Sequence, residues 1–167
     1  VYKRQLKMRE ICLHCLAIFH PLSNGNVYHA VMILKYLSEI QPESFLTVLT
    51  NKDDKDIQLL FKNALFRNLH QGNLHNFIFG DLLFYDTKKN DNLKILLSKL
   101  IDTVNDMGFF EYLLSVLSDS KHDENVSVKY NFYFLEFIGS ISQCWLVQYS
   151  IFFKNKENLI IDSLMKC

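Results

Sequence analysis

Apolar positions recur at helical spacing along nearly the whole chain. The clearest run is Leu93, Leu96, Leu97, Leu100, Ile101 and Val104, the i, i+3, i+4, i+7, i+8 pattern of one buried helix face. Lys94, Ser98, Lys99, Asp102 and Asn105 fall between, on the wet side. The segment from Ile57 repeats the pattern with Leu60, Phe61, Ala64, Leu65 and Leu69. Asp53, Asp54 and Asp56 precede it, placing capping oxygens and negative charge where a helix start leaves amides unpaired.

Punctuation sets the other boundaries. A first helix is expected from about Lys3 to Phe19, stopped at His20-Pro21, because proline disfavours the helical conformation of the residue before it. Ser23-Asn24-Gly25-Asn26 is turn chemistry, and a second helix is expected from Val27 to Ile40. Pro42 opens a short helix to about Leu49. Gly72-Asn73 separates the Ile57 helix from one over Leu74 to Tyr85, and Asp86 to Asn92 is a polar loop. Gly108 ends the Leu93 helix, and Phe110, Leu113, Leu114 and Leu117 form the next face. After a charged loop from Ser118 to Asn125, a long helix runs from about Val128 to Phe153 and a last one from Lys156 to Met165. Roughly eight or nine helices joined by short loops make an all-α fold. No strict repeat is visible, so the helix pairs suit either an irregular armadillo- or HEAT-like array or a compact helical bundle.

Composition narrows this further. With 167 residues the chain suits one domain, 1–167, with a sizeable core. Apolar residues at 49 % and charged residues at 22 % mark an ordered protein. Lys and Arg total 18 against 18 Asp and Glu, so no strong direct nucleic-acid binding is expected. The start at Val1 and the end at Cys167 are those expected of a piece of a longer chain. The basic cluster Lys3, Arg4, Lys7, Arg9 reads as the solvated face of the first helix. Cysteines at 12, 15, 144 and 167 make no disulfide framework and suit a reducing intracellular compartment.

Residues Phe137 to Phe153 carry no formal charge, which raises a membrane span. Ser140, Ser142, Gln143, Gln148 and Ser150 argue against it, since each polar group in hydrocarbon needs a partner. A central helix surrounded by others is the better reading. Cys12-x-x-Cys15 lacks the second ligand pair of a structural zinc site and the helix N-terminus of a redox pair, so both are expected in the core. Among His14, His20, His29, His70, His75 and His122, the pair His70/His75 straddles Gly72 and does not share a face as metalloprotease ligands do. No HExxH, GxSxG, P-loop or GxGxxG occurs, and Asp119, Asp123 and Glu124 lack EF-hand spacing. No catalytic, cofactor or metal residue is assigned, and no enzyme is expected. Nine aromatics from Tyr130 to Phe153 accompany a single basic residue, Lys129. That is core packing or an exposed partner-binding patch, not a single-strand nucleic-acid platform.

Several strings resemble the C-terminal helical region of the Mei-four family, proteins of meiotic double-strand-break formation. They are Leu16-Ala17-Ile18-Phe19-His20-Pro21 with Ala30-Val31; Lys62-Asn63-Ala64-Leu65 running to Leu74-His75-Asn76-Phe77; Leu93 through Met107; and Tyr130-Asn131-Phe132-Tyr133-Phe134-Leu135. The resemblance implies a non-catalytic scaffold on meiotic chromosome axes in the nucleus. It would act with a Rec-one-one-four type partner to promote a Spo-eleven type nuclease in DNA recombination. The family's partner-binding helix lies upstream of anything present here, so no binding residue carries over. The alternative is an armadillo- or HEAT-like interaction adaptor in an unrelated intracellular complex.

Overall fold

A computed structural model of the chain describes residues 2–68, 71–82, 90–109, 111, 112 and 115. The chain divides into two compact units, Val1–Met107 and Gly108–Cys167, and nearly all described residues belong to the first. Six α-helices and one π-helical segment are described: α1 Tyr2–Ala17, α2 Val27–Ile40, α3 Pro42–Leu49, α4 Lys55–Asn68, α5 Gly72–His75 running into the π-helical Asn76–Leu82, and α6 Asp91–Asp106. There is no strand among the described residues, and the fold is all-α.

Local chemistry explains each boundary. α1 ends at Ala17, two residues before the expected Phe19, and its exit tightens through backbone bonds from Ile18, Phe19 and His20 to carbonyls three residues back. The turn that follows needs Gly25, since a Cβ there would lie 2.7 Å from Cγ1 of Ile18. Asn26 caps α2, its Oδ1 accepting from the amide of His29 at 3.1 Å. Pro42 occupies the first turn of α3, where its missing N–H costs nothing. Asp54 caps α4, with Oδ1 accepting from the amide of Ile57, and Asn90 caps α6 through the amide of Leu93. Gly108 closes α6 at φ +75°, a left-handed conformation that glycine adopts without strain.

In the first unit the packing closes on itself. The eight-residue α3 lies against α1, α2, α4 and α6, while α1 reaches α4 and α2 reaches the α5–π segment. Phe45, Leu46, Val48 and Leu49 of α3 are buried accordingly. Cys12, Leu16 and Phe19 on the α1 side of the core, Phe61 and Leu65 of α4, and Leu97, Leu100 and Ile101 of α6 are buried as well. Phe45 and Phe77 form an edge-to-face pair with centroids 6.3 Å apart. Leu60 and Leu96, expected on buried faces, are only half-buried, at the edges of their stripes. Leu69 lies outside the described residues.

Polar links tie the helices together. Nδ2 of Asn68 donates to the carbonyl of Phe19 at 2.8 Å, and Nε2 of Gln58 donates to the carbonyl of Leu49 at the end of α3 and to that of Asn51 in the following turn. Arg9 departs from the solvated role expected of it: its guanidinium holds Asp54 through Nε and Nη2 and reaches Asp56 at 3.4 Å. Lys7 is exposed as expected. The Leu74–Tyr85 helix is α-helical only to His75 and π-helical to Leu82; residues 83–85 and most of the Asp86–Asn92 loop lie outside the described residues. So do the Phe110–Leu117 face apart from residues 111, 112 and 115, the 118–125 loop, and the Val128–Phe153 and Lys156–Met165 helices.

Candidate interaction surface

The helix α2 has two apolar faces, and only one of them is used by the core. Its polar residues are His29, Lys35, Ser38 and Glu39 alone. Ala30, Val31, Leu34 and Ser38 are buried, and Ser38 satisfies its hydroxyl by donating to the carbonyl of Lys35 at 2.7 Å. The opposite face carries Tyr28, Met32, Ile33, Tyr36 and Ile40, exposed by 51, 46, 44, 62 and 53 %. Tyr28, Met32, Tyr36 and Ile40 are spaced by four, so they form one continuous ridge along the helix. A single exposed apolar residue needs no explanation, but a row on one helix marks a contact surface.

The surroundings of this row are fixed by ordinary electrostatics. Nζ of Lys35 donates to a carboxylate oxygen of Asp81 at 2.8 Å, pinning α2 to the π-helical segment. That hydrogen bond raises the lysine's pKa, so the ammonium stays charged and paired. His29 and Glu39 are exposed, and the rings of Tyr28 and His29 meet edge-on at 5.7 Å.

The residues weighed for chemistry are placed differently. Cys12 and Cys15 are core residues on the inward side of α1. Burial, with a smaller contribution from Cys15, pushes the Cys12 thiol up to about 12, and burial raises that of Cys15. Both remain protonated and are poor nucleophiles and poor metal ligands at neutral pH. His14 is exposed, its Nδ1 2.7 Å from the carbonyl of Glu10, and Nδ1 of His20 accepts from the amide of Leu22. Among the described residues no three of His, Cys, Asp and Glu converge on a point that could hold a metal. His70, His122, Cys144, Cys167, Asp119, Asp123 and Glu124 lie outside the described residues, as does the aromatic cluster from 130 to 153; the side chain of His75 does too. An apolar void of about 10 Å³ lies between Leu16, Leu34, Phe45, Phe61, Leu74 and Phe77. It is no larger than a single water molecule needs and is too small for a substrate. No helix among the described residues is long and apolar enough to cross a membrane; the 137–153 stretch lies outside them.

The fold and this face together define an all-α protein with an exposed apolar ridge on α2. No family model, no curated protein and no solved structure matches the chain. Sequence reasoning sought an exposed patch among the aromatics near the C-terminus and passed over α2. The available signal was a helix apolar on every side, where a one-sided stripe suffices for packing.

Proposed function

We propose that the chain is a non-catalytic helical scaffold that acts by binding other proteins, in support of meiotic double-strand-break formation and recombination. The observation that carries the protein-binding reading is the exposed ridge Tyr28, Met32, Tyr36, Ile40 on a helix whose other face is already packed. Exposed aromatics beside aliphatic side chains are the usual energetic centres of protein interfaces. The meiotic setting rests on the resemblance to the Mei-four family. Within its strings, Leu16, Phe19, Ala30, Val31, Ala64, Leu65, Leu74 and Phe77 are core residues of this chain. The family's Rec-one-one-four type partner is the expected companion.

A tagged full-length protein carrying Tyr36→Glu, expressed in meiotic germ cells, tests the proposal. Tyr36 contributes little to the core, so the variant folds with unchanged helix content. It is expected to lose chromosome-axis foci and most recombination foci. Normal foci in a stably expressed variant refute the role of this face. Expression confined to meiotic cells is expected, and broad somatic expression would move the assignment to an adaptor in an unrelated intracellular complex.

A further inference from the structure

We infer that the α2 ridge docks on the same ridge of a second copy, in antiparallel register about a two-fold axis. This identity of the partner rests on the protein-binding reading of α2 and adds to it. An isologous interface requires a surface complementary to itself when reversed. The row meets that condition: reversal sets Tyr28 against Ile40 and Met32 against Tyr36, so each aromatic ring meets an aliphatic or thioether side chain. The parallel arrangement would instead stack each tyrosine on its own copy. Rows spaced by four pack against each other with helix axes crossing at about 50°, the commonest class of helix contact.

The exposed Glu39 and His29 border the row, and the same reversal brings Glu39 of one copy to the height of His29 on the other. Lys35 flanks the middle of the row, where two copies would bring it near its own mate, and its ammonium is already held by Asp81. No unpaired charge is therefore carried to the axis by that residue. A tyrosine side chain offers on the order of 200 Å² and Met or Ile somewhat less, so the exposed fractions of the row together with the neighbouring Ile33 leave roughly 500 Å² of surface on each copy. Two copies would bury at most about 1,000 Å² in all, short of the roughly 1,200 Å² at which stable interfaces begin, which makes the dimer reversible and weak.

Sedimentation equilibrium of the full chain from about 1 to about 200 µM is expected to show a mass rising from one chain toward two. Tyr36→Glu is expected to keep the helical circular dichroism and remain monomeric throughout. With a short bismaleimide, the double variant Tyr28→Cys with Ile40→Cys is expected to crosslink between chains well above the parent, whereas Tyr28→Cys alone is not. A chain monomeric at every concentration overturns the inference. So does a dimer indifferent to Tyr36→Glu, or crosslinking of Tyr28→Cys to itself. Loss of chromosome-axis foci by Tyr36→Glu in a chain that never dimerises removes self-association and leaves the scaffold standing. A dimer dissolved by Tyr36→Glu with foci intact does the reverse.

Discussion

Replacement of Phe45 by alanine tests the central feature of the packing. Phe45 is fully buried in α3, the helix that touches α1, α2, α4 and α6, and its ring lies edge-on to Phe77 in the π-helical segment. Removing a buried phenyl group costs about 3–5 kcal/mol, which combines lost transfer energy with a cavity term of about 24 cal/mol per Å³. Phe45 already borders a void of about 10 Å³, which adds only about 0.2 kcal/mol at that rate. The expected loss is therefore about 4 kcal/mol, a large share of the 5–15 kcal/mol by which domains are stable. At a urea dependence near 2 kcal/mol per molar, the midpoint falls by about 2 M. Far-UV circular dichroism is the suitable probe, because the single tryptophan, Trp145, belongs to the other unit. Phe45→Leu should lose about 1–1.5 kcal/mol, and a cycle with Phe77→Leu should give a coupling of about 0.5–1.5 kcal/mol. A loss under about 1.5 kcal/mol for the alanine variant at unchanged slope, or zero coupling to Phe77, would show that α3 is not the hub and that the π-helical segment does not dock as described.

Two further outcomes follow from local chemistry. The Arg9 guanidinium, by hydrogen bonding, holds the Asp54 carboxyl below the usual carboxylate range. The stability this contributes is fully present above the unfolded value of about 3.9 and is lost as pH falls through the lower folded value. Asp54→Asn keeps a capping oxygen but loses the charge, so its urea midpoint should sit below wild type at neutral pH and approach it as pH falls through the lowered folded value. Asp54→Ala should lose about 1 kcal/mol more for the cap; a gap that persists unchanged into acid would refute the pairing. Gly25→Ala puts a Cβ 2.7 Å from Cγ1 and 2.9 Å from Cγ2 of Ile18, and should cost about 1–2 kcal/mol. The same change in an Ile18→Ala background should cost clearly less in thermal unfolding, and equal costs would refute the contact.

Helix limits were legible in the sequence at α2 and α3, whereas the Asn90 cap was read as loop through Asn92 and α6 begins two residues earlier, at Asp91. Asn26 and Ile40 bound α2, and Pro42 and Leu49 bound α3, at the residues their chemistry marks. Asp54 lies within the acidic cluster read as a helix start, because a carboxylate near free amides needs no tertiary context. Its second role, clamping Arg9 from 45 positions away, was not legible, since it depends on α1 crossing α4. The π-helical turn was equally hidden. Leu74, Phe77 and Ile78 fit an α-helical stripe, and one extra residue per turn changes the ladder without changing the apolar pattern.

The outward ridge of α2 shows most clearly where pattern reading runs out. A helix apolar all round is ordinarily taken for a central one, and α2 qualifies, with His29, Lys35, Ser38 and Glu39 as its only polar residues. Among the described helices its main contacts come from α1, α3, α5 and the π-helical segment, and the ridge opposite the buried face is exposed. Periodicity measures how much apolar surface a helix offers, while the fold decides how much of it neighbours can cover. The difference between the two is the ridge Tyr28, Met32, Tyr36, Ile40, an apolar excess that the described helices leave exposed.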